Sequence, residues 1–202
     1  MTTLGELLET REPNNGAYRT VCIDGRGASG KTTLADLLGA RLPGFDVVHG
    51  DDYFEPHKDP VTWGDFNEER LEAELLAPVR AGARPISIRP YDFPRDVVGA
   101  PRVLPLEQGL VFERCFAFAL PVAWDLTIWV EASRECCLSR GLARDGAVSL
   151  GDRARTAWEQ VWQPREDRYL ETMSPASHAN LVLDGTRPFD VQLGEGFGAQ
   201  VS

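Results

Sequence analysis

Residues 19–33 read Arg19-Thr20-Val21-Cys22-Ile23-Asp24-Gly25-Arg26-Gly27-Ala28-Ser29-Gly30-Lys31-Thr32-Thr33, and the fold follows from this stretch. A β-rich run from Tyr18 to Ile23 stops at Asp24-Gly25, and residues 25–32 match G-x-x-x-x-G-K-[ST] in full. From Lys31 onward Leu34, Leu37, Leu38 and Leu42 recur at helical spacing, until Pro43-Gly44 ends the run. With 19 Gly, two Lys and 19 Ser plus Thr in 202 residues, a chance match has odds of about one or two in a thousand. Each position has a chemical reason. Gly25, Gly27 and Gly30 let backbone amides close on a β-phosphate that side chains would block. Lys31 reaches the β- and γ-phosphates, and the Thr32 hydroxyl ligates Mg²⁺. Ala28, Ser29 and Thr33 complete the nucleotide-binding set, and the helix opening at Lys31 adds its positive end. No role follows from spacing for Arg26.

Outward from the loop, strands alternate with helical segments. Phe45–His49 is a second strand running into Gly50-Asp51-Asp52-Tyr53-Phe54. Residues 68–80 read as a helix, and residues 84–104 as an extended arm. Gly109–Glu113, Leu126–Glu131 and Leu181–Leu183 read as further strands, and Ser133 caps a helix to about Arg144. Residues 2–11 form a short amphipathic helix with Leu4, Leu7 and Leu8 on one face. Right-handed βαβ crossovers and a parallel sheet are implied, in a P-loop three-layer α/β/α domain over residues 1–187. A lid near 140–156 and a flexible tail over 188–202 complete the expectation. Several strands end in carboxylates, where such sheets place ligands. For Asp24, Glu131 and Asp184, plain strand termination is an equal reading.

Composition narrows the function. Lys plus Arg number 21 against 31 Asp plus Glu, a net charge of −10, and such acidity argues against nucleic acid and anionic membrane as partners. The sequence holds no 18-residue apolar run, and MTTLGELLETREP does not read as a signal peptide. Cys22, Cys115, Cys136 and Cys137 lack metal-ligand spacing and read as buried reduced thiols in a cytoplasmic protein. The excess of Arg over Lys hints at a GC-rich bacterial genome. His49, His57 and His178 share no metal pattern and read as loop or packing residues. Trp158 and Trp162, four apart, read as a core stripe. A guanine-reading N-K-x-D motif is excluded, since the only other lysine, Lys58, lies in Pro-His-Lys-Asp-Pro.

The run Ile23–Thr33, the Gly50–Phe54 block, Pro90-Tyr91-Asp92-Phe93, Glu113, Arg140 with Arg144-Asp145, and Ala179–Gly185 resemble the uridine kinase-like family of P-loop kinases. That group includes uridine kinases, phosphoribulokinases and bacterial pantothenate kinases, and the likeness spans about residues 19–187 in matching order. It implies transfer of the ATP γ-phosphoryl group to a hydroxyl of a small-molecule acceptor, most simply a nucleoside. It further implies that Asp51 orients or deprotonates the hydroxyl with Asp52 beside it. Tyr53, Asp65 and Tyr91 would line the acceptor pocket, and Thr32, Asp51 and Glu113 would serve Mg²⁺. Lys31, Arg140 and Arg144 would neutralise the transition state. Arg140 and Arg144 share a helical face, where their mutual repulsion of about 0.2–0.5 kcal/mol would be relieved by an anion. A solvated face with acidic partners is the other reading, as is an N-capping pair for Asp51 and Asp52.

Three departures bear on the substrate. Glu113 is followed by Arg114 where the family usually has Gly. Pro94-Arg95-Asp96-Val97-Val98 replaces a stretch with His and Arg, and Ala157-Trp158 replaces a Gln-Tyr pair. Another acceptor (a vitamin, sugar or specialised-metabolite alcohol) and a non-catalytic nucleotide-binding regulator are the competing readings. A homo-oligomer is left open.

Overall fold

The computed structural model describes Leu4, Leu8 and residues 12–56, 66–148 and 151–194. Its centre is a five-stranded sheet in the order β2-β7-β1-β8-β9, with every pairing parallel. The strands are β1 (Arg19–Gly25), β2 (Phe45–His49), β7 (Gly109–Glu113), β8 (Leu126–Glu131) and β9 (Leu181–Asp184). Val21, Cys22 and Ile23 are fully buried because β1 is covered on both faces, hence its unbroken apolar run. The period of two then divides the core. Val21, Ile23, Val111 and Ile128 face α1 (Lys31–Arg41), packing on Leu34 and Leu38. Cys22, Leu110 and Phe112 point the other way, towards Leu71, Leu75 and Val79 of α2 (residues 68–80).

Helix α2 and a later helix, α4 (residues 153–173), each contain a π segment, at Glu72–Leu76 and Ala157–Trp162. Two residues beyond each segment stands a proline, Pro78 or Pro164, which has no N–H to donate into the α ladder. Residues 86–104 hold two antiparallel pairs. β3 (Ile86–Ile88) runs against β6 (Arg102–Leu104), and β4 (Tyr91–Asp92) against β5 (Val97–Val98). Ser133 Oγ accepts the Cys136 amide at 3.2 Å at the start of α3 (Arg134–Val148), which runs past the expected end near Arg144. Beyond α4, a short α5 (Pro175–His178) leads into β9.

Leu4 and Leu8 are buried in the α1-side core; the rest of the 2–11 helix lies outside the described residues. The tail corrects its expectation at the start. Residues 189–193 form α6 (Phe189–Leu193), and the buried Phe189 ring packs on the phosphate loop, where a Cβ at Gly30 would lie 3.3 Å away. Among the described residues, no helix is long and apolar enough to cross a membrane. All four cysteines are free thiols, Cys22 and Cys137 buried, Cys115 and Cys136 half-buried.

Candidate active site

The carboxyl ends of β2, β7 and β1 bring the site together. Parallel register sets Glu113 between His49 and Ile23, one residue before Asp24, with the glycine loop following. Tight packing explains the glycines here. A Cβ on Gly25 would stand 2.6 Å from the Val130 carbonyl oxygen, and Gly30 holds φ +111° as it opens α1. Below the loop, buried Asp24 accepts from the amides of Gly25 (2.6 Å), Phe116 (3.0 Å) and Phe118 (3.0 Å) and from the Tyr169 hydroxyl (2.6 Å). Burial raises its pKa and those donors oppose the rise. Asp24 is thus a tie between β1, the loop after β7, and α4, rather than a plain strand terminus.

A cleft of about 1390 Å³ opens over the loop. Gly27, Ala28, Gly30, Lys31, Thr32 and Thr33 form its floor, while Ser29 is buried beneath. Lys31 Nζ donates to the Arg26 carbonyl (2.8 Å) and to Cys115 Sγ (3.2 Å). Burial works against its charge, but Cys115, Glu113 and Asp24 outweigh that and hold the ammonium above its ordinary value. Thr32 Oγ1 donates to Glu113 Oε1 at 3.2 Å, and His49 Nδ1 lies 3.0 Å from the same oxygen. His49, read as a loop or packing residue, thus touches Glu113 directly. Its hydrogen bond to Glu113 raises its pKa.

Asp51 lies on the cleft wall, its side chain exposed to the cleft although protein atoms crowd around it. That crowding and the neighbouring Glu113 charge push its carboxyl up to about 6, while Lys31, Arg144 and His49 pull it down. Asp51 and Glu113, two carboxylates beside the Thr32 hydroxyl, are a hard-oxygen set suited to a divalent cation. Among the described residues no group of three or more His, Cys, Asp or Glu could hold a metal alone. Mg²⁺ needs no such group, since it keeps waters and takes phosphate oxygens alongside one or two protein ligands.

Opposite the loop, aromatic rings line the cleft. Phe54 stacks on Phe66 with centroids 4.9 Å apart, and Phe93 meets Tyr91 edge-on at 4.7 Å. The Tyr91 hydroxyl donates to Asp96. Two expected acceptor residues are not there. Tyr53 is fully buried in the α2-side core, its ring under the Arg70 guanidinium at 4.8 Å and its hydroxyl without a hydrogen-bond partner. Asp52 is absent from the cleft wall and lies in the fields of Arg102 and His49. The reason is the 3₁₀ turn Gly50–Tyr53: at three residues per turn, Asp51 and Phe54 share one side and Tyr53 takes another. Asp65 and His57 lie outside the described residues.

The lid arginines separate. Arg140 Nη1 donates to the Gly185 carbonyl (2.9 Å), fastening β9 beside the loop. Arg144 pairs with Asp145 at 2.6 Å, and Asp145 also accepts from Trp158 Nε1 at 2.9 Å. Both arginines reach the cleft wall, each with its own partner. Trp158 is core as expected but also forms cleft wall, 2.9 Å from where a Gly27 Cβ would stand. Arg155 pairs with Glu159 on the surface.

Arg114 does not crowd the reacting end. It is buried, its guanidinium 3.8 Å above the Phe66 ring and paired with Glu68. Its stem lies 2.5 Å from where a Gly50 Cβ would be, so Gly50 must be small. Cys115 and the α4 carboxylate Glu166 also reach the loop. Sequence spacing marks neither, although Cys115 lies at the carboxyl end of β7, where ligands gather.

No protein-family model matches the chain, and no curated protein matches it. Solved structures do. One is a possible uridine kinase from Bacillus stearothermophilus, with TM-score 0.59 and 21% identity over 83% of this chain and 89% of that one. Another is a protein provisionally assigned as a fructose transport system kinase from Silicibacter sp. TM1040, with TM-score 0.66 and 21% identity over 87% and 94%. With its parallel five-stranded sheet flanked by helices and its complete phosphate loop, the chain has the fold of the P-loop kinases.

Proposed function

We propose that the chain is a kinase that transfers the γ-phosphoryl group of ATP to a hydroxyl of a small acceptor, with a nucleoside as the leading candidate. The observation that carries this reading is Asp51, on the wall of the cleft whose floor is the phosphate loop and Lys31. The kinase structures of the same fold support it.

In the proposed reaction the acceptor oxygen forms a bond to the γ-phosphorus, the bond to the ADP oxygen breaks, and the acceptor proton passes to Asp51. A carboxyl titrating near 6 is largely ionised at pH 7 and close enough to neutrality to act as a base. Lys31 offsets charge on the β- and γ-phosphates, and Arg144 lies on the same wall. Thr32, with Glu113 or Asp51, would hold Mg²⁺, which when bound screens phosphate charge and fixes the phosphates in line. The rings of Phe54, Tyr91 and Phe93 offer apolar surface to a planar base and help to exclude water that would otherwise take the phosphoryl group.

A panel of nucleosides with MgATP tests the reading, scored as acceptor-dependent ADP release. No release with any of them would remove the nucleoside as acceptor. A sugar, vitamin or specialised-metabolite alcohol is favoured by the Tyr91 hydroxyl being engaged with Asp96, and by the assignment of the Silicibacter protein. Thermal shift with an ATP analogue present separates these acceptors by mass action.

A further inference from the structure

The parallel register of β2 and β7 sets His49 directly opposite Glu113, at the carboxyl ends of both strands. Glu113 Oε1 thereby has two partners, the Thr32 hydroxyl at 3.2 Å and His49 Nδ1 at 3.0 Å. A carboxylate oxygen only accepts, so His49 carries a proton on Nδ1. Its Nε2 faces Asp36 Oδ1 at 3.5 Å. Glu113 is buried, 4% exposed, and Thr32 forms cleft floor. A threonine hydroxyl has one proton and two lone pairs, and a cation binds only at a lone pair. With its proton directed at Glu113, Thr32 turns its lone pairs away from that carboxylate. This orientation lasts only as long as Glu113 Oε1 stays where it is.

We propose that His49 is a positioning residue for Mg²⁺: by donating to Glu113 Oε1 it fixes the carboxylate that holds the Thr32 proton, and so keeps the Thr32 oxygen aimed as a metal ligand. The inference rests on the nucleotide-binding reading and adds to it a residue that touches neither phosphate nor cation. Without the imidazole donor, Glu113 can turn about its last torsion, and the Thr32 hydroxyl then loses its acceptor. Its proton becomes free to swing towards the cation and repel it. Hydrogen bonds that orient metal ligands in this way are worth about 10–100-fold in metal affinity.

Asn and Leu both branch at Cγ and have similar shapes, but only Asn carries an N–H donor, one bond beyond Cγ, as His49 carries Nδ1. Calorimetry with a non-hydrolysable ATP analogue, at stepped Mg²⁺ and in EDTA, tests this on the full chain, His49→Leu and His49→Asn. His49→Leu should need about tenfold more Mg²⁺ for half of the metal-dependent tightening, with affinity in EDTA held within about twofold. His49→Asn should bring the Mg²⁺ requirement back to within about threefold of the unaltered chain. An unchanged requirement in His49→Leu overturns the proposal. So does equal weakening with and without Mg²⁺, which would make His49 a brace between two strands. An Asn variant as impaired as the Leu variant also overturns it, since the donor would then not matter. Nitrogen NMR of the His49 ring needs no variant: a proton on Nδ1 is expected, and a bare Nδ1 refutes the role. Failure of the unaltered chain to bind the analogue at any Mg²⁺ would instead bring down the nucleotide reading itself.

Discussion

Asp51→Asn isolates the chemistry from the binding. The wild-type carboxyl titrates near 6, so it is about nine-tenths ionised at pH 7 and about one-tenth at pH 5. An ordinary aspartate would be almost fully ionised at both. The kcat/KM for ATP, which reports the free enzyme, should therefore fall about tenfold between pH 7 and pH 5. Asparagine accepts no proton, so turnover should drop about 10²–10⁴-fold at pH 7, and the acid limb should vanish from what activity is left. Stability should move the other way. A carboxyl whose folded pKa is raised opposes folding above about 6, and that opposition fades as the pH falls towards the unfolded value of about 4. Water entering the cleft screens the site, so Asp51→Asn should gain under about 1 kcal/mol. ADP release against pH for both proteins, beside calorimetric ATP affinity and thermal melting, is the assay. Equal turnover in the two proteins with ATP binding intact would refute the base role and leave a nucleotide-binding regulator.

Glu113→Gln should lower the His49 pKa, because its hydrogen bond to Glu113 is the first cause of the elevation, and NMR titration of the ring reads this. The same variant should need more Mg²⁺ for half-maximal ATP binding. Tyr53→Phe should be neutral or stabilising by up to about 1 kcal/mol, since its buried hydroxyl has no partner, with acceptor KM unchanged. A rise in acceptor KM would return Tyr53 to the pocket. Tyr169→Phe removes one of four donors to buried Asp24 and should cost about 1–3 kcal/mol in denaturant unfolding. A cost near zero would mean that Asp24 is held by its amide donors alone.

The sequence by itself determined whatever is written in neighbouring residues. The glycine loop between strand and helix, the apolar run of β1, the leucine period of α1 and the carboxylates ending β2 and β7 are local patterns, and the chain's own geometry allows little else. Which residues then share a site depends on strand order and on turns, which no local pattern encodes. His49 meets Glu113 because β2 and β7 are parallel neighbours, although 64 residues separate them. Tyr53 turns inward because a 3₁₀ turn, not an extended strand end, carries the Asp51-Asp52 block. Glu166 reaches Gly27 across 139 residues only because α4 folds back over the loop. Crowding by the cleft wall and by Glu113 then supplies the last step that spacing cannot, raising the Asp51 carboxyl to about 6.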